Sequence, residues 1–152
     1  MSVRVQEAAF DVSAEIARLT AGGTDIGAVA TFIGKVRGSA TGQALTSMTL
    51  EHYPGMTEDE LGKIEHDAVS RFRLLASAII HRTGTLKPGD DIVLVIACAR
   101  HRGDAFAACE FLMDYLKTRA PFWKKETAVD GTGQWVDARD CDATASDRWR
   151  TR

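Results

Sequence analysis

Cysteine is scarce and unpatterned in this chain: Cys98, Cys109 and Cys141, with no C-x-x-C spacing. An odd, unspaced set supports neither a disulfide framework nor a zinc site. Cys98 in an apolar strand and Cys109 on an apolar helix face read as buried thiols. The histidines, His52, His66, His81 and His101, show no ligand spacing, so no structural metal is expected. Long apolar runs are missing as well. No stretch approaches the ~18 apolar residues that span a bilayer, and the start, Met-Ser-Val-Arg-Val-Gln-Glu, has no apolar leader segment, which predicts a soluble, cytoplasmic protein. Neither charge sign dominates: 19 Lys and Arg face 21 Asp and Glu, a net charge of -2. General nucleic-acid binding needs a broad basic face and is disfavoured. Also absent are G-x-G-x-x-G after a strand, G-x-x-x-x-G-K-[ST] and the serine elbow G-x-S-x-G. Asp90-Asp91 reads as part of a turn, so paired-carboxylate chemistry has no good candidate.

What is present fits one domain: 152 residues, 45% hydrophobic, suffice for a single core. Val3 to Phe10 reads as an opening strand. Asp11 or Ser13 is placed to cap a short helix through Leu19, ended by Gly22-Gly23. Ala28 to Ile33 reads as a buried strand, Gly34 to Gly42 as a polar loop carrying Lys35 and Arg37, and Leu45 to His52 as a strand of imperfect period two. Thr57-x-x-Glu60 is a capping-box pattern. Leu61, Ile64, Ala68, Val69 and Phe72 then recur at helical spacing, predicting a helix from about Thr57 to Arg71. Strands at Ala76 to His81 and Ile92 to Ala99 are joined through a Lys87-Pro-Gly-Asp90 turn. A long helix follows, Arg102 to Arg119, with Ala105, Cys109, Leu112 and Leu116 on one face. Gly131 to Gly133 is a loop, Trp135-Val136 a last short strand, and the tail from about Asp140 is polar. Mixed strands with two substantial helices, rather than regular β–α alternation, predict an α+β fold.

Cations are concentrated in three places. Asp114-Tyr-Leu-Lys-Thr-Arg-Ala-Pro-Phe-Trp-Lys-Lys-Glu126 sets four of them around Pro121, which should stop the long helix and put Lys117 and Lys124 on either side of the break. Helix-end cations ordinarily just favour the macrodipole. Here Pro121, Phe122 and Trp123 should limit solvation, and a lysine desolvated near other cations has its ammonium form disfavoured, which suits proton transfer or nucleophilic attack. Arg100-His101-Arg102, where strand gives way to helix, is a second cluster suited to phosphate, and Lys35-Val36-Arg37 is the third. Solvated surface charge accounts for each cluster taken alone. Together they indicate an anion site.

The stretch Asp114 to Glu126 resembles the signature of the large, catalytic subunit of molybdopterin synthase. Leu50-Glu-His-Tyr-Pro-Gly-Met56, Phe32-Ile-Gly-Lys-Val-Arg37, the run from His81 to Asp90, and His101-Arg102 resemble that family in its order and spacing. Ala99-Arg100 departs from it, because the family usually has small residues before His101-Arg102. The resemblance implies an α/β hammerhead-type fold and a homodimer, each of whose two sites docks a small ubiquitin-like sulfur-carrier subunit with a C-terminal Gly-Gly thiocarboxylate. It implies sulfur transfer to cyclic pyranopterin monophosphate, forming the dithiolene of molybdopterin, with no resident cofactor. Residue by residue, it makes Lys117 the principal catalytic lysine and Lys124 the second. It matches Lys35, Val36, Arg37, His101, Arg102, Lys125 and Glu126 to pterin- and phosphate-binding positions, with Arg139 a further active-site arginine. Phe32 and Met113 would supply an apolar edge for the ring. The competing expectations are a non-catalytic phosphate- or nucleotide-binding module, and a structural partner of a ubiquitin-like protein in which Lys117 only pairs with a carboxylate.

Overall fold

The computed structural model describes residues 2–40, 42–136 and 140–150. In chain order the elements are β1 (Val3–Gln6), α1 (Val12–Thr20), β2 (Ala28–Lys35), β3 (Ser39–Ala40), β4 (Gln43–His52), α2 (Met56–Phe72), β5 (Ala76–Arg82), β6 (Gly84–Leu86), β7 (Asp91–Ala99), α3 (Arg102–Thr118), β8 (Phe122–Ala128), β9 (Gly133–Val136) and α4 (Asp140–Asp147). The fold is α+β. No helix among the described residues is long and apolar enough to cross a membrane.

Two sheets organise it. The first has the order β1-β5-β7-β2, in which β1 runs parallel to β5 and the other pairs are antiparallel. The central strands β5 and β7 are covered on both faces, which is why they read as continuous apolar runs without alternation. Ile79, Val93, Val95 and Ala97 pack on one face with Leu61, Ile64 and Ala68 of α2 and Ala105, Cys109, Leu112 and Leu116 of α3. On the other face Ala78, Ile80, Leu94, Ile96 and Cys98 meet Val12, Ile16 and Leu19 of α1. β2 is an edge strand, contrary to the buried strand expected from its composition. Ala30 alone of its residues is buried, while Val29, Phe32 and Ile33 are exposed.

The second sheet has the order β3-β4-β8-β9, with β6 also pairing with β4. Its small core is Met48, Leu50 and Leu86 with Val36 and Ile92. The first sheet contributes Ile92 to that core, so this cluster joins the two sheets.

Local chemistry sets the helix starts. Asp11 caps α1, its side chain accepting from the Ala14 N–H at 3.0 Å. For α2 the expected Thr57–Glu60 box is replaced by one two residues earlier. Gly55, at φ 86°, is the cap, and its N–H donates to Glu58 at 2.7 Å. Only glycine takes that φ without strain. Thr57 is fully buried instead, its hydroxyl accepting from the Tyr53 N–H and donating to the Pro121 carbonyl. Glu60 is thereby released to pair with Arg119 at 2.6 Å.

The tail forms α4 and folds back on α3. Trp149, beyond it, is buried between Phe72 and Phe111. Its indole N–H donates to Asp114 at 2.7 Å and its carbonyl accepts from Arg71 at 2.8 Å. The polar composition of residues 140–147 hid this element, and the apolar residue that anchors it, Trp149, lies beyond its end.

Candidate active site

Pro121 ends α3 as expected, and the chain re-emerges at once as β8. That strand was not expected, and its geometry sorts the charges. Successive side chains on a strand point to opposite faces, so Phe122, Lys124 and Glu126 share one face of β8 while Trp123 and Lys125 share the other. The first face lines a cleft of about 420 Å³.

Three further elements complete the cleft. The last two turns of α3 bring Met113, Leu116 and Lys117, and β2 with the loop after it brings Phe32, Lys35 and Arg37. The end of β5 supplies His81, and Asp142 of α4 is also at the wall. A register shift between Gly34 and Lys35, where Lys35 comes opposite Asp91, turns the strand end toward the cleft. Lys35 forms an ion pair with Asp91. Lys117 and Arg37 make no ion pair with any described residue. Four cations, Lys35, Arg37, Lys117 and Lys124, thus face Glu126 and Asp142 across a cleft that also presents Phe32, Met113 and Phe122.

The other cations of the corner go elsewhere. Arg119 grips Glu60 through two hydrogen bonds of 3.0 and 2.6 Å, and this contact, the largest influence, holds the Glu60 carboxyl below its usual range against the opposing effect of burial. Lys125 lies 5.9 Å from the Trp135 ring centroid on the far face of β8. Gly133 makes room for it, since a Cβ there would stand 2.5 Å from Lys125 Cε. Val36 is a core residue, 3% exposed. Its backbone is committed as well, its N–H donating to the Asp90 carbonyl and its carbonyl accepting from the Gly89 N–H.

His101 and Arg102 are exposed at the N-terminal end of α3. Lys117 lies at the opposite end of the same 17-residue helix, which at 1.5 Å per residue is about 25 Å long. One chain therefore does not gather them into its own cleft. Arg100 pairs with Asp25 at 3.0 Å and remains exposed. Arg139 lies outside the described residues.

Comparison with known proteins gives this arrangement a family. The family model described as MoaE protein matches residues 5–119. The chain belongs to the MoaE family. A molybdopterin synthase catalytic subunit from Ralstonia nicotianae is 56% identical over 148 residues, covering 97% of this chain and 84% of that protein. Among solved structures, a molybdopterin biosynthesis MoaE protein from Burkholderia ambifaria is 52% identical, with a TM-score of 0.84 and 99% of each chain covered. A molybdopterin synthase from Staphylococcus aureus is 27% identical, with a TM-score of 0.81 over 88% of this chain and 95% of that one.

In this MoaE-family cleft stands His81, to which the sequence reading gives no site role. Its signal was present: a histidine closing an otherwise apolar strand. The ring is 8% exposed and stacks on Phe122 at 3.7 Å and 17°. Burial above all pushes its pKa down to about 4, and the positive charges of Lys124, Lys117 and His52 push the same way, opposed by a hydrogen bond to the Arg82 carbonyl. His81 is therefore a neutral imidazole at physiological pH. Cys98 and Cys109 are buried free thiols, as read from the sequence. Burial raises both, Cys109 to about 11 with help from Glu110.

Proposed function

We propose that the cationic cleft is the sulfur-transfer site of a molybdopterin synthase catalytic subunit. The MoaE family membership makes the chain such a subunit, a sulfurtransferase of molybdenum cofactor biosynthesis. The observation that carries the assignment to this cleft is the convergence of Lys117 and Lys124 from two different elements onto one partly apolar wall.

The substrate in this reading is cyclic pyranopterin monophosphate, and the sulfur donor is the C-terminal Gly-Gly thiocarboxylate of a small ubiquitin-like carrier subunit. Two anions must meet, the phosphate and the thiocarboxylate, and four cations reduce their mutual repulsion. Lys35 and Arg37 hold the phosphate end, Arg37 as a forked donor suited to it. Phe32, Met113 and Phe122 receive the ring. Lys117 and Lys124 assist thiocarboxylate attack, stabilise the oxyanion that develops and carry protons between donor and pterin. Glu126 fixes the substrate's edge beside Lys124. No resident cofactor takes part.

Val36 serves by anchoring the segment that aims Lys35 and Arg37, and Lys125 by supporting β9 through Trp135. His101 and Arg102 reach a cleft of this kind only from a second copy of the chain, which is the reason to propose a homodimer, and with two carriers a heterotetramer. Arg139 joins the site as its further arginine. The assembly works in the cytoplasm, where buried thiols such as Cys98 and Cys109 stay reduced.

The test is product formation by Lys117→Ala given a preformed thiocarboxylated carrier and the cyclic pterin. Loss of turnover of at least ~100-fold is expected. Near-normal turnover would sink the catalytic assignment, and retained pterin binding without any sulfur transfer by the unmodified chain would favour a binding module.

A further inference from the structure

His81 has a fixed hydrogen position. Its Nδ1 lies 2.8 Å from the Arg82 carbonyl oxygen, which only accepts, so Nδ1 carries the hydrogen and Nε2 keeps a lone pair. The stack on Phe122 prevents the ring from turning freely. No described residue bonds Nε2. Among the described residues no buried side-chain nitrogen or oxygen lacks a partner, so Nε2 opens onto the cleft that the ring lines.

This atom differs from its surroundings. Lys35, Arg37, Lys117 and Lys124 can only donate, and Glu126 and Asp142 offer carboxyl oxygens rather than a ring nitrogen. We propose that His81 orients the substrate in the cleft: its Nε2 accepts a hydrogen bond from an N–H on the edge of a nitrogen heterocycle, which turns the substrate's anionic end toward Lys35 and Arg37. The proposal rests on the pterin reading of the site, a pterin being a heterocycle with ring N–H and amino donors at the end remote from its phosphate. Orientation follows from exclusion as much as attraction. A phosphate oxygen set against Nε2 would place acceptor against acceptor, whereas the cations of β2 and its loop welcome it. The depressed basicity of His81 keeps the lone pair available across the physiological pH range.

Two substitutions separate this role from simple packing. His81→Phe keeps an aromatic ring against Phe122 and removes both nitrogens, and His81→Gln restores an acceptor near the Nε2 position. With preformed thiocarboxylated carrier, His81→Phe should lower kcat/KM for the cyclic pterin about 10- to 100-fold, mostly through KM, and His81→Gln should recover to within about fivefold of wild type. Wild-type kinetics in both variants, or equal losses in both, would overturn the proposal. A readout on the unaltered chain needs no turnover. In ¹⁵N-histidine-labelled protein the His81 Nε2 resonance should lie in the unprotonated range at neutral pH and move toward the hydrogen-bonded range when the cyclic pterin is added. A protonated Nε2, or one unmoved by bound pterin, would also overturn it. Failure of wild-type turnover alone would count against the sulfur-transfer reading of the cleft, and the ¹⁵N response would still decide the role of His81.

Discussion

Replacing Trp149 with alanine should destabilise the fold by about 3–5 kcal/mol, the range for removing a buried aromatic side chain. The residue is 6% exposed, and an indole buries on the order of 200 Å², worth up to about 5 kcal/mol at ~25 cal/mol/Å². Ring and hydrogen-bond contacts go with it. The Arg71 guanidinium lies 5.6 Å from its ring centroid, Phe111 packs edge-on at 5.5 Å, and the indole N–H bonds Asp114 at 2.7 Å. Arg148 also bonds Asp114 at 2.7 Å, so the carboxylate keeps a partner and the loss stays within the range rather than above it. Trp149→Phe, which retains ring burial but not the N–H, should cost only ~1–2 kcal/mol. Urea unfolding of the three proteins at one fixed chain concentration measures this, the fixed concentration removing any contribution from association. A loss below ~1 kcal/mol for alanine, or equal losses for alanine and phenylalanine, would refute the view that the buried ring holds the tail.

Other outcomes follow from the same contacts. His81 has a folded-state pKa of about 4 against an ordinary 6.5, so between those values the unfolded chain binds a proton that the folded chain refuses. Stability should therefore fall as pH drops from 6.5 to 4, by roughly 3 kcal/mol from this group, and a urea series should show that slope reduced in His81→Gln. Glu60, lowered by Arg119, contributes stability above its ordinary pKa that is lost as pH falls through its folded value. The stability gap between wild type and Glu60→Gln should close in acid, and a gap independent of pH would exclude the ion pair as its source. Sulfur-transfer assays should separate the two faces of β8, with Lys124→Ala losing about 100-fold and Lys125→Ala staying within about threefold. Cys98 and Cys109 should resist alkylation in native protein and react on denaturation, read by mass spectrometry; rapid native labelling of Cys109 would contradict its burial.

Helical spacing made α2 and α3 legible, and unbroken apolar runs did the same for the central strands β5 and β7. The faces of α2 and α3 are the ones their apolar spacing indicates, since Leu61, Ile64, Ala105, Leu112 and Leu116 all reach the core. Composition misled at β2, because β-branched residues suit an edge as well as a buried strand and nothing local records which neighbours arrive. β8 was obscured because Lys124, Lys125 and Glu126 in succession leave no apolar alternation to mark a strand. The same alternation explains why Lys124 and Glu126 reach the cleft and Lys125 does not. Charge clustering points to Lys35, Arg37, Lys117 and Lys124, which line the cleft, whereas His81 figures only among the unspaced histidines and as the start of a family-like run, neither of which gives it a site role. His101 and Arg102 sit a helix length away, a separation no count of cations expresses.

The Pro121 corner has one further consequence. Lys117 rides on a helix and Lys124 on a strand of the second sheet, so the gap between the two ammonium groups is a tertiary quantity, adjusted like a caliper by the angle between those bodies. The screw of that caliper is on α2, where Thr57 bonds the Pro121 carbonyl and Glu60 clasps Arg119. Residues some sixty positions earlier in the chain thus help to set the reach between them.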